Sequence, residues 1–380
     1  MARRHLRLCL ALLPAATTVV VAASSAAAAT GRSLASATYY NHGHRRRLTA
    51  AFSGTSRRLS STAGADSTDR KGANRGAQPL RSTVRDTRET LQALATAAPS
   101  LLTAVVAVAS DVDGTLTAPD KTVTSRTKDA IKAVMDAGLL FFPATGKTRA
   151  GMYKILGEEM GTRLRANNAP GVFIQGLVVY AGSGDEVLFE RLLDADVVAQ
   201  VVSFCEEKRV SLIAYSGDRI VCSTKDAQTD KIAEYMEPMP EAVGPLPEAM
   251  AAGLKIHKLI LMDTTDAIDR VRPDIERLVG AAATFTQALP DMLEVLPPGA
   301  SKGNGVEILL DHLGINPLQL MALGDAENDV DMLRTAGVGV CVGNASPPAR
   351  AAARFEAPTN AEDGAAVAME QLLSSRMALE

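Results

Sequence analysis

The stretch from Leu101 to Ser110 is an apolar run that ends abruptly in Asp111-Val112-Asp113-Gly114-Thr115-Leu116-Thr117. An apolar run of that kind suits a strand buried on both faces of a parallel sheet, which limits the chain to α/β architectures. Two carboxylates two residues apart at the carboxyl end of such a strand share one side, because neighbours along a strand alternate faces. Holding two like charges together near a core is costly unless a cation neutralises them. An aspartate-rich turn is the plainer reading. The glycine that follows, and the buried strand that precedes, favour a site built for charge.

The pattern after this strand repeats. Thr124 or Ser125 can cap a helix running to about Ala137, with Ile131, Val134 and Met135 on one face and Gly138 as its stop. Leu139 to Ala144 reads as a second apolar strand ending at Thr145-Gly146, and Arg149 to Met160 as a helix. Towards the other end, Val306–Leu313 reads as helix, Leu318–Leu323 as strand, Val330–Thr335 as helix and Val338–Val342 as strand. This alternation predicts a doubly wound parallel sheet with right-handed crossovers, whose ligands bind beyond the carboxyl ends of the strands. Between the two halves lie strand-like segments at Phe173–Tyr180, Glu186–Leu192, Val210–Tyr215, Arg219–Ser223 and Lys255–Met262, with helices at Asp196–Lys208 and Asp266–Val279. They predict an inserted α+β domain. The resulting division is a leader over 1–65, a linker over 66–99, a core over 100–181 and 291–380, and an insert over 182–290.

Charge placement sets the leader apart. Met1 to Ala65 carries nine arginines, no lysine and no acidic residue. Such arginine-rich, serine-rich, acid-poor composition marks an organelle transit peptide. Arg3, Arg4 and Arg7 ahead of the Ala/Leu/Val-rich Leu8–Ala29 also fit a secretory signal, and both together suit a two-step route into a plastid. A plastid is slightly favoured over a mitochondrion, with secretory and cytosolic fates as alternatives. With those nine arginines set aside, the formal net charge of −3 becomes −12. An acidic body without tryptophan argues against a nucleic-acid partner, and no membrane partner is expected of the mature form. Cys9, Cys205, Cys222 and Cys341 lie far apart and show no metal-ligand spacing, so buried free thiols are expected.

The chain resembles the haloacid dehalogenase superfamily, with Asp111–Thr117 similar to its first motif and three further motifs in order. These are Thr145 at a strand end, Lys302 in Ser301-Lys302-Gly303-Asn304-Gly305, and Gly324-Asp325-Ala326-Glu327-Asn328-Asp329. The insert, and Asn344 in Gly343-Asn344-Ala345, resemble the Cof-like sugar phosphatase branch. The resemblance covers about Ala104 to Val367. It implies a Rossmann-like core with a cap, and a Mg²⁺-dependent phosphatase acting on a small phosphorylated metabolite such as a sugar phosphate. Asp111 would be the nucleophile and Asp113 the general acid and base. Asp111, the Asp113 carbonyl and Asp325 would hold Mg²⁺, with Asp329 and Asn328 steadying that set and Lys302. Thr145 and Lys302 would grip phosphoryl oxygens, in a cradle that includes Gly114, Gly146 and Asn328. The chain departs from the pattern at Lys147, where an arginine is usual, and at Gln175-Gly176, where Asn-Gly is usual. A sugar phosphomutase is the alternative within the superfamily, and a catalytically silent binding module the alternative outside enzymes. His257 and His312, the only histidines beyond the leader, are assigned no catalytic part.

Overall fold

The computed structural model describes residues 24–26, 34–41, 44–51, 89–90 and 99–377. The chain divides into two units, Met1–Ser82 and Thr83–Glu380. In the first, the strands Ser24–Ala26, Leu34–Asn41 and His44–Ala51 form an antiparallel sheet. Most of the apolar leader segment Leu8–Ala29 lies outside the described residues.

The second unit is built on a six-stranded parallel sheet. Its strand order is Glu89–Thr90, Phe355–Glu356, Val338–Cys341, Leu320–Gly324, Ala107–Ser110 and Leu140–Pro143. Ala107–Ser110 is buried on both faces because helices cover both. Its register sets Ser110 opposite Leu323 on one side and Pro143 on the other. Three strand ends therefore open at one edge, and Asp111, Thr145 and Asp325 follow directly from them.

The helix Ser125–Asp136 forms as its sequence dictates. Thr124 caps it by accepting from Thr127 N, and Thr127, Ala130, Ile131 and Val134 make the buried face. Fully burying Ile131 or Val134 contributes about 1.5–3 kcal/mol each, while the cap is worth about 1 kcal/mol.

Several expectations are corrected. The segment Leu101–Ser110 is not one strand: Pro99 opens a short helix, Pro99–Thr103, and the strand begins only at Ala107. Proline at a first helical position has its φ already set and loses no needed N–H. Arg149 to Met160 is two helices, Arg149–Leu156 and Glu158–Ala166, parted by Gly157 at φ 83°. Phe173 to Tyr180 is a hairpin, Gly171–Phe173 and Val178–Tyr180, turned by Ile174, Gln175 and Gly176 at φ 51°, 58° and 83°. The linker expected over 66–99 contributes Glu89–Thr90 to the sheet edge.

The inserted region carries its own sheet, mostly antiparallel. The order is Glu241–Ala242, Arg219–Cys222, Ser211–Ser216, Lys258–Met262, Met292–Leu296 and Thr284–Leu289. The helices Ala195–Lys208 and Thr265–Val279 share a separate apolar cluster with it through Val198, Val201, Ile268 and Ile275. Pro290 falls in the turn of the last hairpin, so this sheet runs on to Leu296, past the expected limit at 290. Among the described residues no helix is long and apolar enough to cross a membrane.

Candidate active site

At the open edge of the parallel sheet the backbone ladder carries on past the strands: Asp111 N donates to Leu323 O and Ala144 N to Ser110 O. This fixes Asp111 at a place where the residue is 3 % exposed. Lys302, the first residue of the helix Lys302–Leu313, is 1 % exposed and donates to Asp111 Oδ1 at 2.5 Å and Asp329 Oδ1 at 2.8 Å. Asp329 is fully buried, and its other oxygen accepts from Asp325 N at 3.0 Å and Ala326 N at 2.9 Å. Asp325 Oδ1 accepts from Thr115 Oγ1 at 3.0 Å.

The electrostatics follow from this crowding. Burial pushes the Asp111 carboxyl well above its ordinary value; Lys302 opposes the rise, while Asp329, Asp325 and Asp113 add to it. Burial, then the Asp329 charge, pushes Asp325 up to about 6. Burial works against the charge on Lys302, but Asp111 and Asp329 outweigh it and hold the ammonium above the ordinary lysine value.

Asp113 is exposed, and its Oδ1 lies 3.1 Å from Lys147 Nζ. Gly114 sits at φ 80°, and a Cβ there would run into the Asp325 carboxylate. Only glycine lets the loop pass this close. Asn344 Nδ2 donates to Gly114 O at 2.9 Å, which ties that loop to the neighbouring strand end. Thr145 is fully buried, and its Oγ1 accepts from Lys147 N at 3.1 Å. Gly146 O accepts from Lys258 Nζ at 3.3 Å. Asn328 is exposed at the rim and donates to Gln175 Oε1 at 2.9 Å. All nine residues singled out from sequence, Asp111, Asp113, Gly114, Thr145, Gly146, Lys302, Asp325, Asn328 and Asp329, thus gather at this one edge.

Four further residues enter the site from the insert, and sequence reasoning passes over them. Lys258 pairs with Glu294 at 2.9 Å; their side chains are 2 % and 11 % exposed. Glu237 accepts from Thr148 Oγ1 at 2.6 Å and Thr148 N at 3.1 Å. The Tyr215 hydroxyl reaches Glu237 Oε1 at 3.5 Å. Gln175, given no role from sequence, joins Asn328 to Glu294. Lys147 reaches Tyr235 O at 2.7 Å, so its ammonium bridges the insert and Asp113. The one available signal for Glu294 was a lone charge inside an otherwise apolar segment, and Lys258 offered none that set it apart from Lys255 nearby. His257 is buried away from this edge, where its Nδ1 accepts from Gly217 N, and His312 is exposed.

A cavity of about 430 Å³ lies between the strand ends and the inserted sheet. Asp111, Asp113, Lys302 and Asp325 form one end of it, and Tyr215, Lys258 and Glu294 the other. Carboxylate oxygens of Asp111, Asp325 and Asp329 lie within 4.8 Å of one another. Lys302 is the cation that faces Asp111 and Asp329 directly, so the cluster keeps an excess of negative charge that fits a divalent cation. Both oxygens of Asp329 are already engaged, so it suits holding the set in place, while Asp111 and Asp325 suit ligation.

The profile described as haloacid dehalogenase-like hydrolase matches residues 108–369. A protein of Arabidopsis thaliana named endoribonuclease YBEY, chloroplastic, is 38 % identical over 264 residues, covering 68 % of this chain and 45 % of that one. The chain thus spans under half the length of that relative. An HMP-PP phosphatase of Enterobacter sp. is 30 % identical over 240 residues, covering 63 % of this chain and 84 % of its own. The solved structure of the subclass IIB sugar phosphatase BT4131 superposes with a TM-score of 0.56 at 25 % identity, covering 70 % of this chain and 97 % of that one. With the motifs, the strand order and the match over 108–369 in agreement, the chain belongs to the haloacid dehalogenase-like hydrolase family.

Proposed function

We propose that the protein is a Mg²⁺-dependent phosphatase that hydrolyses a small phosphorylated metabolite through an aspartyl-phosphate on Asp111. The observation that carries this reading is the buried Asp111 carboxylate, held by Lys302 and set beside Asp325 at one end of the cavity. Three carboxylates gathered around one buried lysine are costly to hold, and such clusters occur where a site has chemistry to perform. The phosphatase names of the Enterobacter relative and of BT4131 favour the same reaction class.

In the first half-reaction an Asp111 oxygen attacks phosphorus and the ester oxygen leaves. Asp113 gives that oxygen a proton, which its exposed position over the cavity allows. In the second, Asp113 takes a proton from a water that attacks phosphorus, releasing phosphate and regenerating Asp111. Thr145 and Lys302 hold phosphoryl oxygens, with Gly114, Gly146 and Asn328 shaping the cradle. Asp111, the Asp113 carbonyl and Asp325 would hold Mg²⁺, which when bound offsets negative charge on the phosphoryl group. Asp329 would steady Asp325 and Lys302 through the hydrogen bonds already described.

The chain would be organised as a core in two parts, one beginning near 100 and one following Leu296, with a cap between them that carries the sheet ending at Leu296. The segment 1–65 would be a plastid transit peptide, a reading favoured by its composition and by the chloroplastic name of the Arabidopsis relative. A fluorescent fusion of the full chain that stayed in the cytosol would remove it.

The catalytic reading is tested by phosphate release from a panel of phosphomonoesters, with and without Mg²⁺, by wild type and Asp111→Asn. Magnesium-dependent release lost in Asp111→Asn is the expected result. Equal activity in the variant would overturn the nucleophile assignment.

A further inference from the structure

Five consecutive residues, Gly146 to Ala150, each hold a polar contact with the insert. Gly146 O accepts from Lys258 Nζ, Lys147 Nζ donates to Tyr235 O, and Thr148 N and Oγ1 donate to Glu237. Arg149 donates to Asp218 Oδ2 through Nε at 3.0 Å and Nη2 at 2.8 Å. Ala150 N donates to Asp218 Oδ1 at 3.2 Å. The segment begins directly after Thr145, whose Oγ1 accepts from Lys147 N.

Ordinary docking of the insert is the plainer account of such contacts, but their placement says more. A helix leaves its first amides without partners inside the helix. At the start of Arg149–Leu156, Thr148 Oγ1 meets Gly151 N, whereas Ala150 N is met by Asp218 and Thr148 N by Glu237. The insert thus places two carboxylates at the positive end of this helix, where charge-assisted bonds are strong. Arg149 is held ready for Asp218 by other contacts. Its guanidinium lies 4.0 Å from the Tyr180 ring centre, and Nη1 donates to Gly184 O at 2.6 Å. Asp218 is steadied by its own turn, since Gly217 N donates to Nδ1 of the buried His257 at 3.2 Å. Neither Arg149 nor Asp218 lines the cavity.

We propose that Asp218 is a positioning residue. Its clasp on Arg149 and Ala150 holds the loop from Thr145 to Thr148 in the geometry that grips phosphate, so seating of the insert and binding of phosphate reinforce each other. The inference rests on the phosphatase reading for turnover, but binding of phosphate alone tests it.

Calorimetry measures binding of inorganic phosphate, with Mg²⁺ present, to full-length wild type, Asp218→Ala and Asp218→Asn. Phosphate release from a phosphomonoester panel gives kcat and KM for the same three proteins. Asp218→Ala should weaken phosphate binding about fivefold or more and lower kcat/KM by at least that factor. Asp218→Asn keeps an acceptor for Ala150 N and should fall between the alanine variant and wild type. Thermal unfolding checks folding, and an alanine variant that does not fold leaves the comparison to Asp218→Asn. Coupling is reciprocal, so saturating phosphate should slow amide hydrogen exchange in the turn Ser216–Arg219 of wild type, and less so in the variants.

Unchanged phosphate affinity in the folded variants would overturn the inference and leave the clasp a structural contact. Failure of wild type to bind phosphate would overturn it as well. Phosphate affinities in the expected order without turnover of any ester would uphold the inference and remove the phosphatase reading.

Discussion

Lys302 Nζ lies 2.5 Å from Asp111 Oδ1, although 191 positions of sequence separate the two residues. The contact depends on two independent placements. Asp111 leaves the end of a central strand, and Lys302 begins a helix that packs under the neighbouring hairpin. Gly176 and Gly305 permit that packing, since a Cβ on Gly176 would meet the Ser301 carbonyl and one on Gly305 would meet Val172. The ammonium then neutralises part of a carboxylate cluster that would otherwise repel itself.

Asp111→Asn should reduce phosphate release about 10⁴-fold or more, since the amide cannot serve as the nucleophile. Its stability should be equal to or above that of wild type in metal-free buffer. Burial raises the Asp111 carboxyl, so the wild-type charge is held at a cost that asparagine removes. Chemical denaturation with a chelator present measures this. A clear loss of stability would show that the Lys302–Asp111 pair is net stabilising.

Lys302→Met should be far more damaging. It leaves Asp111 and Asp329 buried without the cation they share. Removing one partner of a buried ion pair costs about 3–5 kcal/mol. Added divalent cation should restore part of this, which denaturation with and without Mg²⁺ would reveal.

Metal affinity should depend on pH through Asp325. Its folded value of about 6 stands above the ordinary 3.8. In metal-free protein the stability tied to its protonated form is complete below the ordinary value and lost as pH rises through about 6. Binding of a cation needs the carboxylate, so affinity should weaken steadily as pH falls below about 6. Calorimetric Mg²⁺ titrations across this range test the point, and flat affinity would contradict it.

Glu237→Ala should loosen the link between the insert and the residues after Thr145. Thr148 N and Oγ1 would lose their buried acceptor. Unmet buried groups of this kind cost about 1–3 kcal/mol. A fall in unfolding temperature together with a lower kcat is expected; a variant with unchanged kinetics would make Glu237 a structural residue only.

Cys205 should resist thiol reagents in the native protein. It is 3 % exposed, and burial pushes its thiol up to about 12. Cys222 and Cys341 are also buried. Labelling of these three cysteines should therefore appear only on unfolding, and rapid modification of Cys205 at neutral pH would contradict the packing around the Ala195–Lys208 helix.

The parallel core and its strand-end residues were legible in the amino-acid sequence because strand burial, helix capping and the carboxylate pair at Asp111 and Asp113 are local patterns. Periodicity places Asp111, Thr145 and Asp325 at strand ends, and a doubly wound sheet brings such ends to one edge. Local pattern was weaker where backbone sterics compete with hydropathy, as at Pro99, Gly157 and the Ile174–Gly176 turn. The Met292–Leu296 strand went unread because its place in the inserted sheet depends on a pairing with Lys258–Met262. Tertiary structure alone decided the other wall of the cavity. Lys258, Glu294, Glu237 and Tyr215 come from separate elements of the insert, and each gains its meaning from a partner distant in sequence. A buried charge and a solvated one look alike in a sequence, and only packing determines which of them loses its water.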